Sequence, residues 1–344
     1  MYNSHSNRYS SPPLIPHGDE AVQNTTDDAA SSKLSSCNYG YFRDDFLHFF
    51  VKQPTRRAPL INRGYFARVA AIRKSVNEFL NCFPQDSSSL SLQIVNIGAG
   101  LDTMFFWISS QRSDIRFYEI DFAEVIARKA AIILRNESLW SQISNKKDDL
   151  AVVSNQIRGQ NFRMVAADLR RIDEMDVELR NSGFDSTLPT LFVCECVLVY
   201  MAPTYSDKVI KWASSAVKAP SAFIVYEQTN PTDPFGRTMV ENLEARGCPL
   251  LGLHKYPTIT SQIERYKQLG WKNCIATDMN DMYDKFIDQT ERQRIEKLEI
   301  FDELEEWRLI QAHYILIVAC GNAAEGANYP YSLESFSKMF TLKK

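Results

Sequence analysis

The chain has 344 residues, 44% of them hydrophobic and 24% charged, with a formal net charge of -3 at pH 7. Such a composition is typical of a globular protein with a large buried core, and the near-neutral charge argues against a nucleic-acid or anionic membrane partner. No apolar run approaches the roughly 20 residues that span a bilayer, and the N-terminus lacks the pattern of a secretory signal.

The cysteines and histidines argue against two kinds of site. The seven cysteines are dispersed and form no Cys-x-x-Cys pair, and the five histidines show no spacing typical of metal ligands. We therefore predict reduced thiols, no disulfide framework and no metal site, in a protein of the cytoplasm or also of the nucleus.

The N-terminal region divides into a polar part and an aromatic part. Residues 1–32 are rich in Ser, Asn and Pro, and a disordered tail is predicted there because this composition buries too little apolar surface. A short amphipathic helix is predicted over 44–52 and a longer one over 61–83, where apolar residues recur at three- and four-residue steps. Arg63 and Arg68 lie near the start of the longer helix, where positive charge opposes the helix dipole. A nearby anionic partner would explain them, but by default they are interpreted as solvated.

From residue 92 onwards, apolar runs typical of strands alternate with helical patterns. Strands are predicted over 92–97, 115–120, 161–166, 190–195, 222–226, 273–277 and 314–319. Helices are predicted over 103–108, 122–134, 206–217, 234–245, 260–269 and 291–312 and after Asp168, and a polar surface insertion over 136–159. This alternation predicts an α/β fold with a parallel, doubly wound sheet. The predicted organisation is one domain over 33–320 with an insertion over about 228–312, followed by a C-terminal extension over 321–344.

The first predicted strand ends in a glycine turn, Gly98-Ala99-Gly100, which leads into a helix. Glycine permits a positive φ and leaves no Cβ between the main chain and a ligand, so α/β folds bind nucleotides at such turns. A lone Gly-x-Gly is equally consistent with close packing, and the turn by itself leaves both interpretations open.

The next predicted strands end in acids: Asp121, Asp168 and Glu195. In an open parallel sheet, ligands bind outside the carboxyl ends of the strands. Asp121 lies about one βα unit beyond the glycines, where an acid can accept hydrogen bonds from ribose hydroxyls. Asp168 followed by Leu169 suits an adenine, with a carboxylate for the amine and an apolar side chain for the ring. Each acid alone is more often a helix cap, but together they predict an adenosine-containing cofactor.

The turn also distinguishes a dinucleotide from S-adenosylmethionine. A dinucleotide needs its pyrophosphate over a helix N-terminus, usually with a third glycine. Here the third position is Thr103, and the charge of Asp102 would repel a phosphate. S-adenosylmethionine has no phosphate, and its cationic sulfonium tolerates nearby acids such as Glu195. A methyl donor is therefore the better prediction.

Seven segments of the chain resemble the leucine carboxyl methyltransferases. They are NRGYFARV at 62–69, NIGAGLDT at 96–103, EIDF at 119–122, CECVLVYM at 194–201, YEQ at 226–228, DPFG at 233–236 and MVENL at 239–243. The resemblance covers about 38–320. It implies a class I S-adenosylmethionine-dependent methyltransferase fold, with a seven-stranded doubly wound sheet and a substrate lid made of the N-terminal helices and the insertion. Members of this family methylate the C-terminal leucine carboxylate of the catalytic subunit of type 2A protein phosphatases, which is the partner implied here.

The resemblance also implies site residues. It implies cofactor contacts at Lys33, Arg68, Gly98, Asp121, Asp168, Leu169 and Glu195. We expect Arg68, with Lys33, to pair with the carboxylate of the cofactor's methionine moiety, a bidentate task that suits arginine. Tyr200 is predicted to orient the acceptor, although an ordinary aromatic at a strand-helix junction explains it equally well. Arg68 and Tyr200 are thus the predicted catalytic residues.

Three other functions compete with this prediction. The first is methylation of a carboxyl group on a hypermodified tRNA base. The branch of the family that resembles this function carries an additional C-terminal propeller domain. This chain ends soon after its last predicted strand and lacks a basic stripe, which disfavours that function. The second is a catalytically inactive regulator of the phosphatase, which the retained glycine turn and acids disfavour. The third is a nicotinamide-dependent reductase, which Asp102 and Thr103 disfavour.

Overall fold

A computed structural model describes residues 18–83, 85 and 92–321. Within them the strands are β1 (Leu92–Ile97), β2 (Ile115–Asp121), β3 (Ala151–Val153), β4 (Gln156–Arg158), β5 (Phe162–Ala166), β6 (Thr190–Glu195), β7 (Ser221–Gln228), β8 (Asn273–Asp278) and β9 (Tyr314–Gly321). The helices are α1 (Asp19–Asn38), α2 (Leu47–Phe50), α3 (Pro59–Asn81), α4 (Met104–Ser109), α5 (Ala123–Arg135), α6 (Glu137–Trp140), α7 (Ile172–Asn181), α8 (Pro203–Ser215), α9 (Pro234–Ala245), α10 (Ile259–Gln268), α11 (Met279–Asp281), α12 (Gln289–Ile295) and α13 (Leu304–Gln311). None of these helices combines the length and apolarity needed to cross a bilayer.

The strands form one sheet in the order β3-β4-β5-β2-β1-β6-β7-β9-β8. The pairs among β5, β2, β1, β6 and β7 are parallel, and helices cover both faces, which confirms the predicted doubly wound α/β fold. Apolar side chains of β1 enter both cores, Ile94 on one face and Val95 on the other. Strands buried on both faces are continuous apolar runs, and for this reason the sequence pattern located them.

Two details of the predicted sheet are corrected. The polar insertion at 136–159 contains the hairpin β3–β4, which pairs with β5 and extends the seven predicted strands to nine in the described residues. The last strand, β9, is antiparallel to both β7 and β8. The chain between β8 and β9 lies at the carboxyl edge of the parallel strands, so β9 starts there and runs back between its neighbours. Helix α10 and strand β8, although within the predicted insertion, thus belong to the sheet layers.

Helix α1 contradicts part of the predicted disordered tail. Residues 19–32 are helical, and the predicted domain boundary at residue 33 falls inside α1; residues 1–17 lie outside the described residues. Two serines near the end of the same helix, beyond the predicted tail, are buried against α3. Ser35 Oγ donates to Asn62 Oδ1 at 2.8 Å, and Ser36 Oγ donates to the Asn62 carbonyl at 2.8 Å. Tertiary hydrogen bonds therefore stabilise a helix that has almost no amphipathic pattern of its own.

The predicted helix over 291–312 is also interrupted, because residues 296–303 leave the helix to contact α3. Phe301 stacks on the Arg63 guanidinium at 4.4 Å, and Glu296 pairs with the same group at 3.2 Å. Arg63 is only 5% exposed, so its interpretation as a solvated residue was wrong. The predicted C-terminal extension beyond residue 321 lies outside the described residues.

Candidate functional site

A cavity of about 440 Å³ lies at the carboxyl ends of the parallel strands. All eight residues predicted as site residues line it: Lys33, Arg68, Gly98, Asp121, Asp168, Leu169, Glu195 and Tyr200. They come from six separate parts of the chain, and the doubly wound topology brings them together, as expected for a ligand site in such a sheet.

The glycine turn after β1 forms one wall of the cavity. Gly98 and Gly100 both have positive φ, 68° and 51°, which favours glycine at each position. A Cβ on Gly98 would lie 2.3 Å from Val197 Cγ2, and one on Gly100 would lie 2.8 Å from Thr26 Cγ2. Both glycines are therefore required by the turn and by close packing, whether or not a ligand approaches them.

Asp121 is fixed by the backbone around this turn. Its Oδ2 accepts the Gly100 N–H at 2.7 Å, and its Oδ1 accepts the Phe122 N–H at 2.7 Å. Burial raises the pKa of the Asp121 carboxyl, and these two N–H groups oppose that effect. Each carboxylate oxygen retains a second lone pair, so Asp121 can still accept hydrogen bonds from a ligand in the cavity.

The cavity lining contains two nearly buried cations that are held by acids. Lys33 Nζ lies 2.9 Å from Asp102 Oδ2 and 3.0 Å from Glu195 Oε2, and the Arg68 guanidinium pairs with Glu195 Oε1. Arg68 also lies between aromatic rings, 5.2 Å from that of Tyr65 and 5.0 Å from that of Tyr226. Arg68 is therefore not solvated, contrary to the default interpretation.

Burial disfavours the charge of Lys33, but Asp102 and Glu195 outweigh it and raise the Lys33 pKa. For Asp102, burial raises the pKa, but the charges of Lys33 and Lys129 lower it by more, so the net shift of the Asp102 pKa is downward. Lys33 and Asp102 therefore stay ionised at neutral pH. A ligand with both an ammonium and a carboxylate could bind here by sharing these ion pairs.

Asp168 is placed differently from the other acids. Arg170 binds it through both carboxylate oxygens, at 2.9 Å from Nε and 2.8 Å from Nη2, and this hydrogen bonding lowers the Asp168 pKa. Arg170 also binds Asp19 at the start of α1 at 2.6 Å. Asp168 is thus connected to the helix that covers the cavity as well as facing the cavity itself.

The part of α1 before Lys33 was missed as part of the site. Thr26 of α1 lines the cavity beside Gly100, and acidic residues of the helix pair with arginines on other elements around it. These pairs are Asp19–Arg170, Asp27–Arg128, Asp28–Arg57 and Asp28–Arg246. Four acids in the ten residues 19–28 were a signal for such contacts, but a sequence pattern does not show which arginines lie opposite.

Lys129 of α5 was also missed, and it supports the glycine turn by binding the backbone just after it. Its Nζ donates to the Asp102 carbonyl at 2.6 Å and pairs with Glu119 at 2.7 Å, and both side chains are fully buried. Burial raises the pKa of Glu119 to about 7. A lysine within an otherwise apolar face of α5 was the available signal.

Tyr200 lies in a 3₁₀ turn, Leu198–Tyr200, at the cavity wall. Glu227 holds this turn by accepting the Val199 N–H at 3.0 Å on Oε1. Burial raises the pKa of Glu227 to about 7, and the neighbouring Arg265 opposes that effect. Glu227 therefore positions Tyr200 without lining the cavity.

Because its folded-state pKa lies above the unfolded value, Glu227 binds more protons in the folded chain between about pH 4.5 and 7. Its contribution to the free energy of unfolding is therefore greatest below this window and declines as pH rises. We expect the free energy of unfolding of Glu227→Gln, measured relative to that of the wild type, to rise by about 1–3 kcal/mol from pH 5 to pH 8. Urea unfolding at both pH values measures this, with the exposed Glu264→Gln as control; an equal change in both variants would contradict it.

The comparisons with known proteins agree with this architecture. The family model "Leucine carboxyl methyltransferase" matches residues 21–214. The chain is 39% identical over 304 residues to the leucine carboxyl methyltransferase 1 homolog of Arabidopsis thaliana, covering 88% of this chain and 90% of that protein. It is 35% identical over 313 residues to the bovine leucine carboxyl methyltransferase 1, with coverages of 89% and 92%.

Two further comparisons bear on substrate and fold. The chain is 37% identical over 302 residues to the human tRNA wybutosine-synthesizing protein 4, covering 87% of this chain but 44% of that protein. A solved structure from Thermobifida fusca, described as a methyltransferase, superposes with a TM-score of 0.50 at 11% identity, over 87% of this chain and 98% of that one, which shows the fold alone. From the family model and the relatives together, this chain belongs to the leucine carboxyl methyltransferase family and is an S-adenosylmethionine-dependent carboxyl methyltransferase.

Proposed function

We propose that this enzyme methylates the C-terminal leucine α-carboxylate of the catalytic subunit of a type 2A protein phosphatase. The observation that carries the proposal is the match to proteins named leucine carboxyl methyltransferase 1, which extends over nearly their whole length. The cavity supports it, because every residue assigned to the family's site lines the same space.

The donor set of the cavity fits S-adenosylmethionine. Asp121 would accept hydrogen bonds from the ribose hydroxyls, and Asp168 with Leu169 would bind the adenine. Glu195 would hold the ammonium of the methionine moiety, and Arg68 with Lys33 would hold its carboxylate. When bound, the cofactor supplies an electrophilic methyl group on a sulfonium. No phosphate site is needed, and the acids at the cavity suit a cationic ligand.

The chain's own contribution is to bind, orient and exclude water. A leucine α-carboxylate is ionised at neutral pH, so no base has to accept a proton from it. Burial raises the pKa of Cys196 to about 11 and raises that of Tyr200, so both cavity side chains stay neutral at pH 7 and do not repel the carboxylate. Tyr200 can then donate its O–H to the acceptor. Leu243 and Leu251, from the segment after β7, cover the cavity and favour a dry site.

The test is transfer of radiolabelled methyl from S-adenosylmethionine to the intact phosphatase catalytic subunit and to a form without its final leucine. Base-labile label on the intact protein alone is the expected result, since it indicates a carboxyl methyl ester at that terminus. Absence of label on both, with cofactor binding verified by calorimetry, would contradict the proposed substrate.

The second candidate is a carboxyl group on a hypermodified tRNA base. It is favoured by the 37% identity to the human tRNA wybutosine-synthesizing protein 4, which lies between the 39% and 35% identities to the two leucine carboxyl methyltransferase 1 relatives. The same assay with unfractionated tRNA in place of the phosphatase separates the two, because label would then appear in the nucleic acid.

Asp168→Ala is expected to weaken cofactor binding by about 10- to 100-fold, because it removes a charged hydrogen-bond acceptor from the adenine position. The fold should persist, since Asp168 is partly exposed. Calorimetric titration with S-adenosylmethionine measures the change.

Asp19→Asn is the matched control, because it removes the other carboxylate bound by Arg170 and leaves Asp168 in place. We expect this variant to bind the cofactor nearly as the wild type does. Equal losses in both variants would mean that Asp168 acts by anchoring α1 through Arg170, and the adenine assignment would fail.

A further inference from the structure

Three arginines lie on one face of the sheet, at the edge opposite the cavity. Arg158 of β4 and Arg163 of β5 are direct cross-strand partners. Arg163 is in register with Tyr118 of β2, two residues after Arg116. Residues two apart on a strand share a face, and so do cross-strand partners. The three guanidinium groups therefore project from neighbouring strands on the same side, and none of them lines the cavity.

These arginines have little compensation from the protein. In the described part of the chain, the side chains of Arg158 and Arg163 make no hydrogen bond or ion pair, and Arg116 donates to the Gly183 carbonyl at 2.8 Å and interacts with the Tyr118 hydroxyl. The Nε atoms of all three are buried without an acceptor. Burial lowers the pKa of Arg163, and the charges of Arg116 and Arg158 lower it further, against a smaller opposing effect of Tyr118. Asp185 lies within the electrostatic range of Arg116, but its Oδ1 is bound by Thr187.

Like charges directly opposite each other on paired strands are destabilising. Arg158 and Arg163 form such a pair and have no acidic partner among the described residues. Proteins retain unfavourable local interactions of this kind chiefly at functional sites. The three strands are spaced by about 4.8 Å, so the arginines span about 10 Å. This span suits one or two adjacent phosphate groups, and the planar fork of arginine matches phosphate oxygens in pairs.

We propose that Arg116, Arg158 and Arg163 form a binding site for a phosphate group, separate from the methyl-transfer site. The group belongs either to a small polyphosphate or to a phosphorylated side chain of a protein. Either would place two or more negative charges among the three guanidinium groups and supply acceptors for their free N–H donors.

The test is calorimetric titration of the full chain with inorganic pyrophosphate and, separately, with a phosphoserine peptide. Saturating S-adenosylhomocysteine occupies the cations of the cavity during both titrations. We expect at least about tenfold weaker binding for Arg163→Gln and for Arg158→Gln, because each loses a charge-assisted contact. Arg171→Gln is the control, since Arg171 is 67% exposed and pairs with Glu174, and it should bind as the wild type does.

A second readout does not depend on the ligand. Without any phosphate, Arg163→Gln or Arg158→Gln should raise the Tm by about 1–2 °C, because one of the two opposed charges is gone. Arg171→Gln should not. Pyrophosphate binding would assign a small polyphosphate, and binding of the peptide alone would assign a protein source. Binding of neither probe by the wild type, or equal binding by the wild type and both glutamine variants, would overturn the proposal. Methyl transfer by these variants should be unchanged, so this test is independent of the proposed substrate.

Discussion

Glu195→Gln is expected to lower kcat/KM by at least about 100-fold and to cost about 3 kcal/mol of stability. Glu195 compensates two nearly buried cations, since the side chains of Lys33 and Arg68 are 11% and 12% exposed. Removing one partner of a buried ion pair leaves charge uncompensated at a cost of about 3–5 kcal/mol. Asp102 still holds Lys33, which places the expected cost at the lower end. The same change removes the acceptor proposed for the cofactor's ammonium.

Two measurements separate these effects. Urea unfolding reports the structural loss, and calorimetry with S-adenosylmethionine at a temperature where the variant is folded reports the loss of binding. Glu174→Gln is the control, because Glu174 pairs with Arg171 at the surface and such pairs contribute about 0–1 kcal/mol. If Glu195→Gln binds S-adenosylmethionine with the affinity of the wild type, Glu195 does not contact the cofactor.

Gly98→Ala is expected to cost about 2–5 kcal/mol in the free energy of unfolding. Its φ of 68° disfavours any residue with a Cβ by about 1–2 kcal/mol. The added methyl would also lie 2.3 Å from Val197 Cγ2, and overpacking of this kind costs about 1–3 kcal/mol. Cofactor affinity should fall as well, because the turn that positions Asp121 is displaced.

A double variant distinguishes the two causes. In Gly98→Ala/Val197→Ala, the steric part should be recovered and the backbone part should remain. Gly64→Ala is the matched control: it lies in α3 with ordinary φ, its Cβ would lie 3.7 Å from Gln311, and alanine favours the helix. If Gly98→Ala unfolds with the same free energy as Gly64→Ala, the strain assigned to the turn is absent.

The local residues of the site were predictable because they follow a rule of the fold. Apolar strands end in a glycine turn or an acid, and parallel strands bring their carboxyl ends to one edge, so Gly98, Asp121 and Glu195 were predicted to lie together, and they line one cavity. What each acid contacts was not predictable. Asp168 is bound by Arg170, two residues away, and Glu195 lies between Lys33 and Arg68, which are 162 and 127 residues distant.

The errors have one physical origin, which is that tertiary contacts outweigh weak local preferences. Residues 19–32 are polar enough to suggest disorder, yet their acids pair with arginines, and Ser35 and Ser36 later in the same helix donate hydrogen bonds to Asn62. These contacts hold the segment as a helix over the cavity. The pattern over 291–312 suggests one helix, yet contacts with Arg63 interrupt it.

The sequence by itself determined the fold class, the glycine turn, the order of the acids and the family, because these depend on apolar periodicity and on short contiguous motifs. Only the tertiary structure decided that α1 covers the cavity and that the cavity's cations, Lys33 and Arg68, are already paired with acids. It also decided that three arginines lie next to one another on neighbouring strands, at the end of the sheet opposite the cavity. These features depend on which side chains from distant segments meet, and no local pattern in the chain specifies that.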